Sequence, residues 1–163
     1  MKLVILSDSH DNIWAFDQAA GTIGQADAVI HCGDLCSPFM IPRLADAAQG
    51  KPVHIVWGNN DGDKRLLMVQ ANKAGNVIMH GDIAELELGG MHIAVNHYPE
   101  VARALAKSGQ YDLVCYGHDH TANEEWLGNT LLLNPGEVMG LMGARTLVVL
   151  DTDDRKVKWV ELD

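Results

Sequence analysis

The sequence has no long apolar run and no export signal. A membrane-spanning helix needs roughly 18 or more consecutive apolar residues, and the 163-residue chain contains no such run. The N-terminal segment MKLVILSDSH turns polar too early for the apolar core of a secretory signal. We therefore expect a cytoplasmic protein with no membrane partner.

Cysteine is scarce as well. Cys32, Cys36 and Cys115 are an odd number in a chain without an export signal, which argues against a disulfide framework and for reduced thiols. The spacing of Cys32 and Cys36 would suit half of a metal site, but no second pair follows. The pattern favours buried structural thiols.

Basic residues are few: 12 Lys and Arg stand against 22 Asp and Glu, and the net charge is −10. No run of basic residues could follow a long phosphate backbone, which argues against extended nucleic acid as a partner. If so acidic a chain binds phosphate groups, bound divalent cations are the expected source of positive charge.

Linkers, internal repeats and low-complexity segments are absent too. A chain of this length, 47% hydrophobic, can bury one core. We therefore expect one domain over residues 1–163.

Short apolar runs alternate with helical stretches through the first half of the chain. The predicted strands are Lys2–Leu6, Ala28–His31, Val53–Trp57 and Val77–Met79, and the predicted helices are Ile13–Ile23, Pro38–Ala48 and Lys64–Ala74. This order is typical of βαβ units and of a largely parallel sheet.

The second half favours hairpins. The predicted strand pairs are Ala84–Leu88 with His92–Asn96 around Gly89-Gly90, a pair turning at Gly128-Asn129, and Thr146–Leu150 with Lys156–Glu161 around Asp153-Asp154. A helix over Glu100–Lys107 precedes a strand over Leu113–Tyr116. The whole order predicts an α/β fold with two sheets stacked face to face and helices outside them.

Five apolar strands end in small polar clusters, with the sequences VILSDSHDN, VIHCGD, IVWGNND, AVNHYP and VCYGHDH. Ligands of open α/β sheets bind at the carboxyl ends of the strands, so these clusters could converge on one crevice. Asp8 and His10 are separated by one residue, so both side chains can reach one ion, and His118 and His120 repeat this spacing.

Asp34 and Asn59 each follow a glycine, where the chain can bend sharply as it leaves a strand. Together the clusters offer carboxylate, amide and imidazole ligands, which suit manganese, iron, nickel or zinc. Taken singly, Asp8, Asp11 and Asp61 could instead form turns or helix N-caps. We interpret four further histidines as ordinary partly buried residues: His31, His54, His80 and His92.

The clusters match, in order, the pattern D-x-H, G-D, G-N-x-D, H and G-H-x-H. In this the chain resembles the calcineurin-like metallophosphoesterase superfamily, from Asp8 to the turn Asn134-Pro135-Gly136, and it looks most like the small single-domain phosphodiesterases of the YfcE type. The resemblance implies a four-layer α/β/β/α sandwich of two mixed sheets.

The resemblance also implies two divalent metal ions, with manganese favoured and iron, nickel or zinc as alternatives. One ion would be bound by Asp8, His10 and His120, the other by Asn59, His97 and His118, and Asp34 would bridge them. A metal-bridging hydroxide would attack a small phosphodiester. The implied catalytic residues are Asp34, Asn59, Asn60, Asp61 and His97.

Two positions depart from the family pattern. Asn60 stands where many members have a histidine that gives a proton to the leaving group, and an amide cannot give up a proton. Tyr98-Pro99 follows His97 where small relatives often have Gly-His, which changes the surroundings of that ligand. We expect a preference for esters with good leaving groups.

Two other functions remain open at this stage. The fold also serves as a protein-binding scaffold in a retromer subunit, although the seven intact ligands favour an enzyme. A phosphomonoesterase would use the same metals, but its dianionic substrate favours extra cationic donors. The motif loops contain no Arg or Lys; Lys64 and Arg65 lie just beyond one loop, and Arg103 lies in a predicted helix.

A set of apolar residues is predicted to be exposed near the motif loops: Phe39, Met40, Met139, Leu141 and Met142. These residues could line the rim of the pocket or form a contact between copies of the chain. We favour the second interpretation, which predicts a dimer or a tetramer.

Overall fold

The computed structural model describes residues 1–163 and contains two mixed β-sheets with helices against their outer faces. The strands are β1 (Lys2–Leu6), β2 (Ala28–His31), β3 (Val53–Ile55), β4 (Val77–Met79), β5 (Ile83–Leu88), β6 (Met91–Asn96), β7 (Leu113–Cys115), β8 (Asn123–Leu127), β9 (Thr130–Asn134), β10 (Thr146–Asp151) and β11 (Lys156–Glu161). The helices are α1 (Ile13–Ile23), α2 (Met40–Ala47), α3 (Lys64–Ala74) and α4 (Pro99–Lys107).

The first sheet has the strand order β11-β10-β1-β2-β3-β4. Strands β1 to β4 are parallel because α1, α2 and α3 cross between them, whereas β10 and β11 are antiparallel hairpin strands. The second sheet has the order β5-β6-β7-β9-β8, with parallel pairing in the centre and antiparallel pairing at both edges. Both predicted terminal hairpins are confirmed.

The core lies in three layers between the four layers of the sandwich. Side chains alternate along β1: Val4 and Leu6 pack in the cluster formed with α1, α2 and α3, whereas Leu3 and Ile5 pack between the sheets. A smaller cluster lies between the second sheet and α4, with Ala102 and Ala106 contributed by the helix. The predicted two-sheet α/β architecture is therefore confirmed.

The helix starts explain two differences from the sequence-based predictions. Asn12 caps α1 and Asp63 caps α3 through side-chain bonds to backbone N–H groups, so Asp8, Asp11 and Asp61 are not helix N-caps. Helix α2 begins at Met40 rather than Pro38, because residues 37–39 form a turn whose Ser37 N–H donates to Asp11 Oδ1 at 2.9 Å. Element starts elsewhere move by one residue at most.

The predicted exposure of Met40 is wrong. Met40 is 1% exposed because it lies on the inner face of α2 together with Ile41 and Leu44. Phe39, Leu141 and Met142 are exposed as predicted, and Met139 is half-buried. None of the helices is both long enough and apolar enough to span a bilayer, and the three cysteines are free thiols.

Candidate metal centre

The loops that follow β1, β2, β3, β6 and β7 meet at one edge of the sandwich. Asp8 N–H donates to Gly33 O at 3.1 Å and His10 N–H donates to Asp34 O at 3.1 Å, which joins the first two loops. Gly117 N–H donates to His97 O at 3.0 Å and joins the loops of the second sheet. Residues distant in sequence are thereby fixed side by side.

One group of ligand-type side chains consists of Asp8, His10 and His120. Asp8 Oδ1 lies 3.4 Å from His120 Nε2 and 3.7 Å from His10 Nε2, and the three ligand atoms fall within 4.8 Å of one another. Asp8 is fully buried, whereas the two imidazoles are partly exposed. A single cation could contact all three groups.

A second group surrounds the side-chain oxygen of Asn59. Asn59 Oδ1 lies 3.0 Å from His97 Nε2 and 2.8 Å from His118 Nδ1. His97 is completely buried, and its Nδ1 lies 2.8 Å from the carbonyl oxygen of Cys32, so Nε2 faces the group. Three ligand atoms from three loops converge here.

Asp34 lies between the two groups. Its Oδ2 atom is 3.5 Å from His10 Nε2 in the first group and 3.4 Å from His97 Nε2 in the second. Asp8, Asp34 and His97 also present ligand atoms within 4.8 Å of one another. One carboxylate oxygen thus contacts both groups.

The donor set fits divalent cations. Asp8 Oδ1 and His10 Nε2 are buried without any hydrogen-bond partner, and such atoms are costly unless something satisfies them. The two buried carboxylates of Asp8 and Asp34 also need compensating positive charge. Carboxylate, amide and imidazole ligands without thiolate are the set that manganese, iron, nickel and zinc accept.

The electrostatics favour anionic carboxylates beside basic imidazoles. Burial opposes ionisation of Asp8 and Asp34, but the neighbouring imidazoles, such as His10 beside Asp8 and His97 beside Asp34, outweigh it and hold both carboxyl pKa values below their ordinary range. The nearby Asp8 carboxylate and the Cys36 sulfur raise the pKa of His10 to about 10. For His97, burial is outweighed by bonding to Asp34, and its pKa is raised.

The backbone at the ligands is strained. Left-handed φ angles occur at five of the seven candidate ligands: Asp8 (52°), His10 (40°), Asp34 (57°), His118 (74°) and His120 (57°). Such conformations are costly for residues other than glycine and cluster at functional sites. The surrounding hydrogen bonds hold these side chains in conformations that a free loop would avoid.

Two glycines allow the loops to approach closely. A Cβ atom at Gly58 would overlap the Asp34 carboxylate, and a Cβ atom at Gly117 would overlap the side chains of Ser7 and Asp8. Neither glycine has a left-handed φ, so the requirement is for space rather than for conformation.

Asn60 and Asp61 both bond to the Asp34 loop. The Asn60 backbone N–H donates to Asp34 Oδ1 at 2.7 Å, and its amide Nδ2 donates to Asp34 Oδ2 at 2.8 Å. Asp61 is buried and accepts from the backbone N–H groups of Gly58, Cys36 and Asp34 at 2.7, 2.8 and 3.3 Å. The Asp61 carboxylate therefore holds the loop after β2 against the loop after β3.

The surroundings of His97 differ from the family pattern as the sequence predicts. The Tyr98 ring packs edge-on against His97 and His118, with ring centroids 5.3 and 5.1 Å apart. Pro99 then occupies the first turn of α4. The tyrosine therefore supports both imidazoles of the second group.

Glu137 is a buried residue of this site that the sequence reasoning missed. Its Oε2 atom lies 2.7 Å from His120 Nδ1, and its Oε1 atom accepts from the N–H groups of Met142 and Gly143 at 2.6 Å each. Hydrogen bonding outweighs burial and lowers its carboxyl pKa. The acid that directly follows Asn134-Pro135-Gly136 was the available signal.

The other four histidines lie outside the two groups. Both ring nitrogens of His31 have partners, Ser9 Oγ at 3.0 Å and the Gly33 N–H at 3.3 Å, and burial lowers its pKa to about 4. His54 Nδ1 lies 2.9 Å from His80 Nε2. The His92 ring lies 2.9 Å from a backbone carbonyl oxygen.

Comparisons with known proteins identify the family to which the fold belongs. The family model of the calcineurin-like phosphoesterase superfamily domain matches residues 1–155. The chain is 30% identical to phosphodiesterase MJ0936 of Methanocaldococcus jannaschii over 168 positions that cover 100% of both proteins.

Solved structures have the same fold. A novel archaeal phosphodiesterase superposes with a TM-score of 0.91 and 31% identity, covering 99% of this chain and 100% of that one. The phosphoesterase Yfce of E. coli superposes with a TM-score of 0.71 at 22% identity, covering 100% of each chain, a likeness of fold. This chain belongs to the calcineurin-like phosphoesterase superfamily.

Proposed function

We propose that this phosphoesterase hydrolyses small phosphodiesters with the help of two divalent metal ions. The observation that carries the proposal is the position of Asp34 Oδ2, within 3.5 Å of an imidazole nitrogen in each ligand group. Asp8, His10 and His120 would hold one ion, Asn59, His97 and His118 would hold the other, and Asp34 would bridge them. When bound, such a pair of ions lowers the pKa of water and neutralises phosphoryl charge.

The protein's own residues orient the site. Asp61 fixes the Asn59 and Asp34 loops against each other through three backbone N–H groups. Asn60 donates two hydrogen bonds to Asp34 and thereby fixes the direction of the bridging carboxylate. In this proposal Asp61 and Asn60 are positioning residues, because both bond to the loop or the side chain of Asp34.

The charge around the site supports a diester substrate. Lys64 lies over the Trp57 ring, with its ammonium 5.2 Å from the ring centroid, and Arg103 forms a bidentate ion pair with Glu125 at 2.7 and 3.0 Å. Both cations therefore have other partners. A monoanionic diester needs less positive charge than a dianionic monoester, which favours the diester.

A scaffold that docks another protein is the second candidate. The same family of folds includes such scaffolds, but two buried carboxylates that repel each other are costly where no cation compensates them. Both carboxylates are retained here with their full complement of imidazoles. The intact ligand set favours the enzyme.

Metal identity follows from ligand chemistry only as far as a class. We propose manganese because the family resemblance favours it, and iron, nickel and zinc are the alternatives, since oxygen and imidazole ligands without thiolate suit all four ions. A panel of these ions, each added to metal-free protein, would rank them by turnover.

The exposed apolar residues support contact between copies of the chain. Phe39, Leu141 and Met142 are 75%, 69% and 73% exposed, and large apolar groups at a surface favour association. We propose a dimer or a tetramer that uses this surface. Sedimentation velocity would contradict it if the protein is a monomer at micromolar concentration.

The test is hydrolysis of cyclic and linear phosphodiesters and of monoesters, with each ion, by wild-type protein and by Asp34→Asn. We expect diesters to be the better substrates, and the variant to lose at least about a hundredfold in kcat because the bridge is weakened. Asp46→Asn, a change of an exposed aspartate on α2, is the matched control. Full turnover by Asp34→Asn with unchanged metal content would overturn the proposal.

A further inference from the structure

Glu137 joins a candidate metal ligand to a surface loop. It lies between β9 and β10, where its own backbone carbonyl accepts from the Thr146 N–H at 2.9 Å. Its side chain is completely buried. One carboxylate oxygen contacts His120 Nδ1 at 2.7 Å and the other accepts from two N–H groups of the loop that follows, at 2.6 Å each.

The contact with His120 determines which ring nitrogen carries the proton. An ionised carboxylate only accepts hydrogen bonds, so His120 Nδ1 must donate to it. In the neutral ring Nε2 then has a free lone pair. Nε2 is the atom that lies 3.4 Å from Asp8 Oδ1, inside the first ligand group. The carboxylate thereby directs the lone pair toward the position of the ion.

Two other histidines of the groups, His10 and His97, lack such a partner. His10 Nδ1 lies 3.4 Å from the Cys36 sulfur, a weak hydrogen-bonding group, and His97 Nδ1 faces the carbonyl oxygen of Cys32. Of the three imidazoles in these contacts, only His120 has a carboxylate behind it. A carboxylate also makes the imidazole a stronger ligand.

The same side chain holds the loop that carries the exposed Leu141 and Met142. The bonds from the Met142 and Gly143 N–H groups end on Glu137 Oε1, and His120 Nδ1 contacts Oε2, so both carboxylate oxygens have protein partners. The loop and the ligand thus share one anchor. A substitution of Glu137 should therefore affect both the candidate ligand His120 and the loop that carries Leu141 and Met142.

From these contacts we propose that Glu137 is a positioning residue, which fixes the tautomer of His120 for metal binding and anchors the 141–143 loop beside the site. This inference rests on the proposed function, because His120 must bind an ion for the tautomer to matter. Glu137 acts through His120 and is not a catalytic residue.

The Glu137→Gln substitution changes the tautomer of His120 but keeps the size of the side chain at position 137. The amide oxygen can still accept from the loop N–H groups, while the amide NH₂ then faces His120 Nδ1 and requires it to be an acceptor. The neutral ring must move its proton to Nε2, where it opposes a cation. We expect Mn²⁺ affinity at one of the two sites to fall about 10- to 100-fold, and the other site to change much less.

The experiment combines two readouts. Calorimetric titration of metal-free protein with Mn²⁺ compares wild type, Glu137→Gln and the control Glu87→Gln, an exposed residue of β5. Nitrogen NMR of the imidazoles, with His120→Asn to assign the signal, reads the tautomer in metal-free wild type. We expect the proton on Nδ1 of His120, and on Nε2 in Glu137→Gln.

A neutral wild-type His120 ring protonated on Nε2 alone, or unchanged Mn²⁺ affinity in Glu137→Gln, would overturn the role of Glu137. The NMR result on wild type needs no variant, so a folding defect in Glu137→Gln leaves the inference testable. If wild type binds neither Mn²⁺ nor iron, nickel or zinc ions, the proposed function fails, and the tautomer alone still decides whether Glu137 orients His120.

Discussion

At the scale of single residues, the proposed function makes Asn60 the residue that limits which substrates suit the site. Its amide donates to the Asp34 carboxylate at 2.8 Å and has no proton to give to a departing alkoxide. General acid catalysis by a positioned side chain is worth about 10²- to 10⁴-fold. The leaving group must therefore be stable as an anion or be protonated by water.

This leads to a prediction about leaving groups. Aryl phosphodiesters should be hydrolysed at least about tenfold faster than alkyl phosphodiesters, and Asn60→His should narrow the difference by accelerating the alkyl esters. Steady-state rates on a matched aryl and alkyl pair measure both effects. Equal rates on the two esters in wild type would contradict the role given to Asn60.

The residue types of the ligands could be predicted from the sequence, but their surroundings could not. Asp8, Asp34 and His120 were found because acids and imidazoles follow apolar strands at family spacing. Glu137 was missed because its importance comes from two contacts across the fold. The left-handed backbone at five ligands is likewise set by tertiary hydrogen bonds rather than by local sequence.

At the scale of elements, the site depends on the close approach of the loop that contains Gly58 to the loop that contains Asp34. Gly58 faces the Asp34 loop so closely that a methyl group has no room. Gly21 in α1 is the opposite case, because a Cβ atom added there would meet nothing within 4 Å and its φ is not left-handed. The two glycines thus form a matched pair for mutation.

Gly58→Ala should destabilise the protein by about 1–3 kcal/mol through overpacking and should weaken Mn²⁺ binding because Asp34 must move. Gly21→Ala should be neutral or stabilise the helix by about 0.5–1 kcal/mol. Urea denaturation of the metal-free proteins and calorimetric titration measure the two effects. Wild-type stability and affinity in Gly58→Ala would show that the close approach is unimportant.

The strands that are easiest to predict from the sequence are those buried on both faces of the sheet. Strands β1 and β2 are buried along almost their whole length, and their β-branched and apolar runs are what such strands require. The start of α2 was not predictable, because a contact between Ser37 and Asp11 from another loop holds the preceding residues in a turn. Met40 is buried, against the expectation of exposure, because it lies on the inner face of α2 with Ile41 and Leu44.

At the scale of the whole molecule, buried histidines outside the site couple folding to pH. His54 lies in β3 beside His80, and burial lowers the pKa of His54 from 6.5 to about 4. Between these two pH values the unfolded chain binds a proton that the folded chain does not, so stability falls as the pH is lowered through this range.

His54→Gln should therefore lose less stability than wild type on acidification. Between pH 7 and 4.5 the difference should be about 2 kcal/mol, measured by urea denaturation of metal-free protein, so that ions do not contribute. His92→Gln controls for loss of an imidazole elsewhere in the chain. If the free energy of unfolding depends on pH in the same way for wild type and for His54→Gln, His54 does not couple folding to pH.

The four-layer architecture and the family were predictable because five strand-end clusters share one order with the superfamily. The order of strands in the second sheet could not be predicted. Its parallel pairs, β6 with β7 and β7 with β9, join strands that are separated in sequence by α4 or by β8. The extent of the domain, residues 1–163, stays a prediction.

In the proposed metal centre two ions lie a few ångströms apart with Asp34 between them. Electron paramagnetic resonance of the protein at two equivalents of Mn²⁺ per chain tests it most directly. We expect the broad spectrum of an exchange-coupled Mn²⁺ pair, which Asp34→Asn weakens. A spectrum of isolated Mn²⁺ ions alone, or saturation at one ion per chain, would contradict the account.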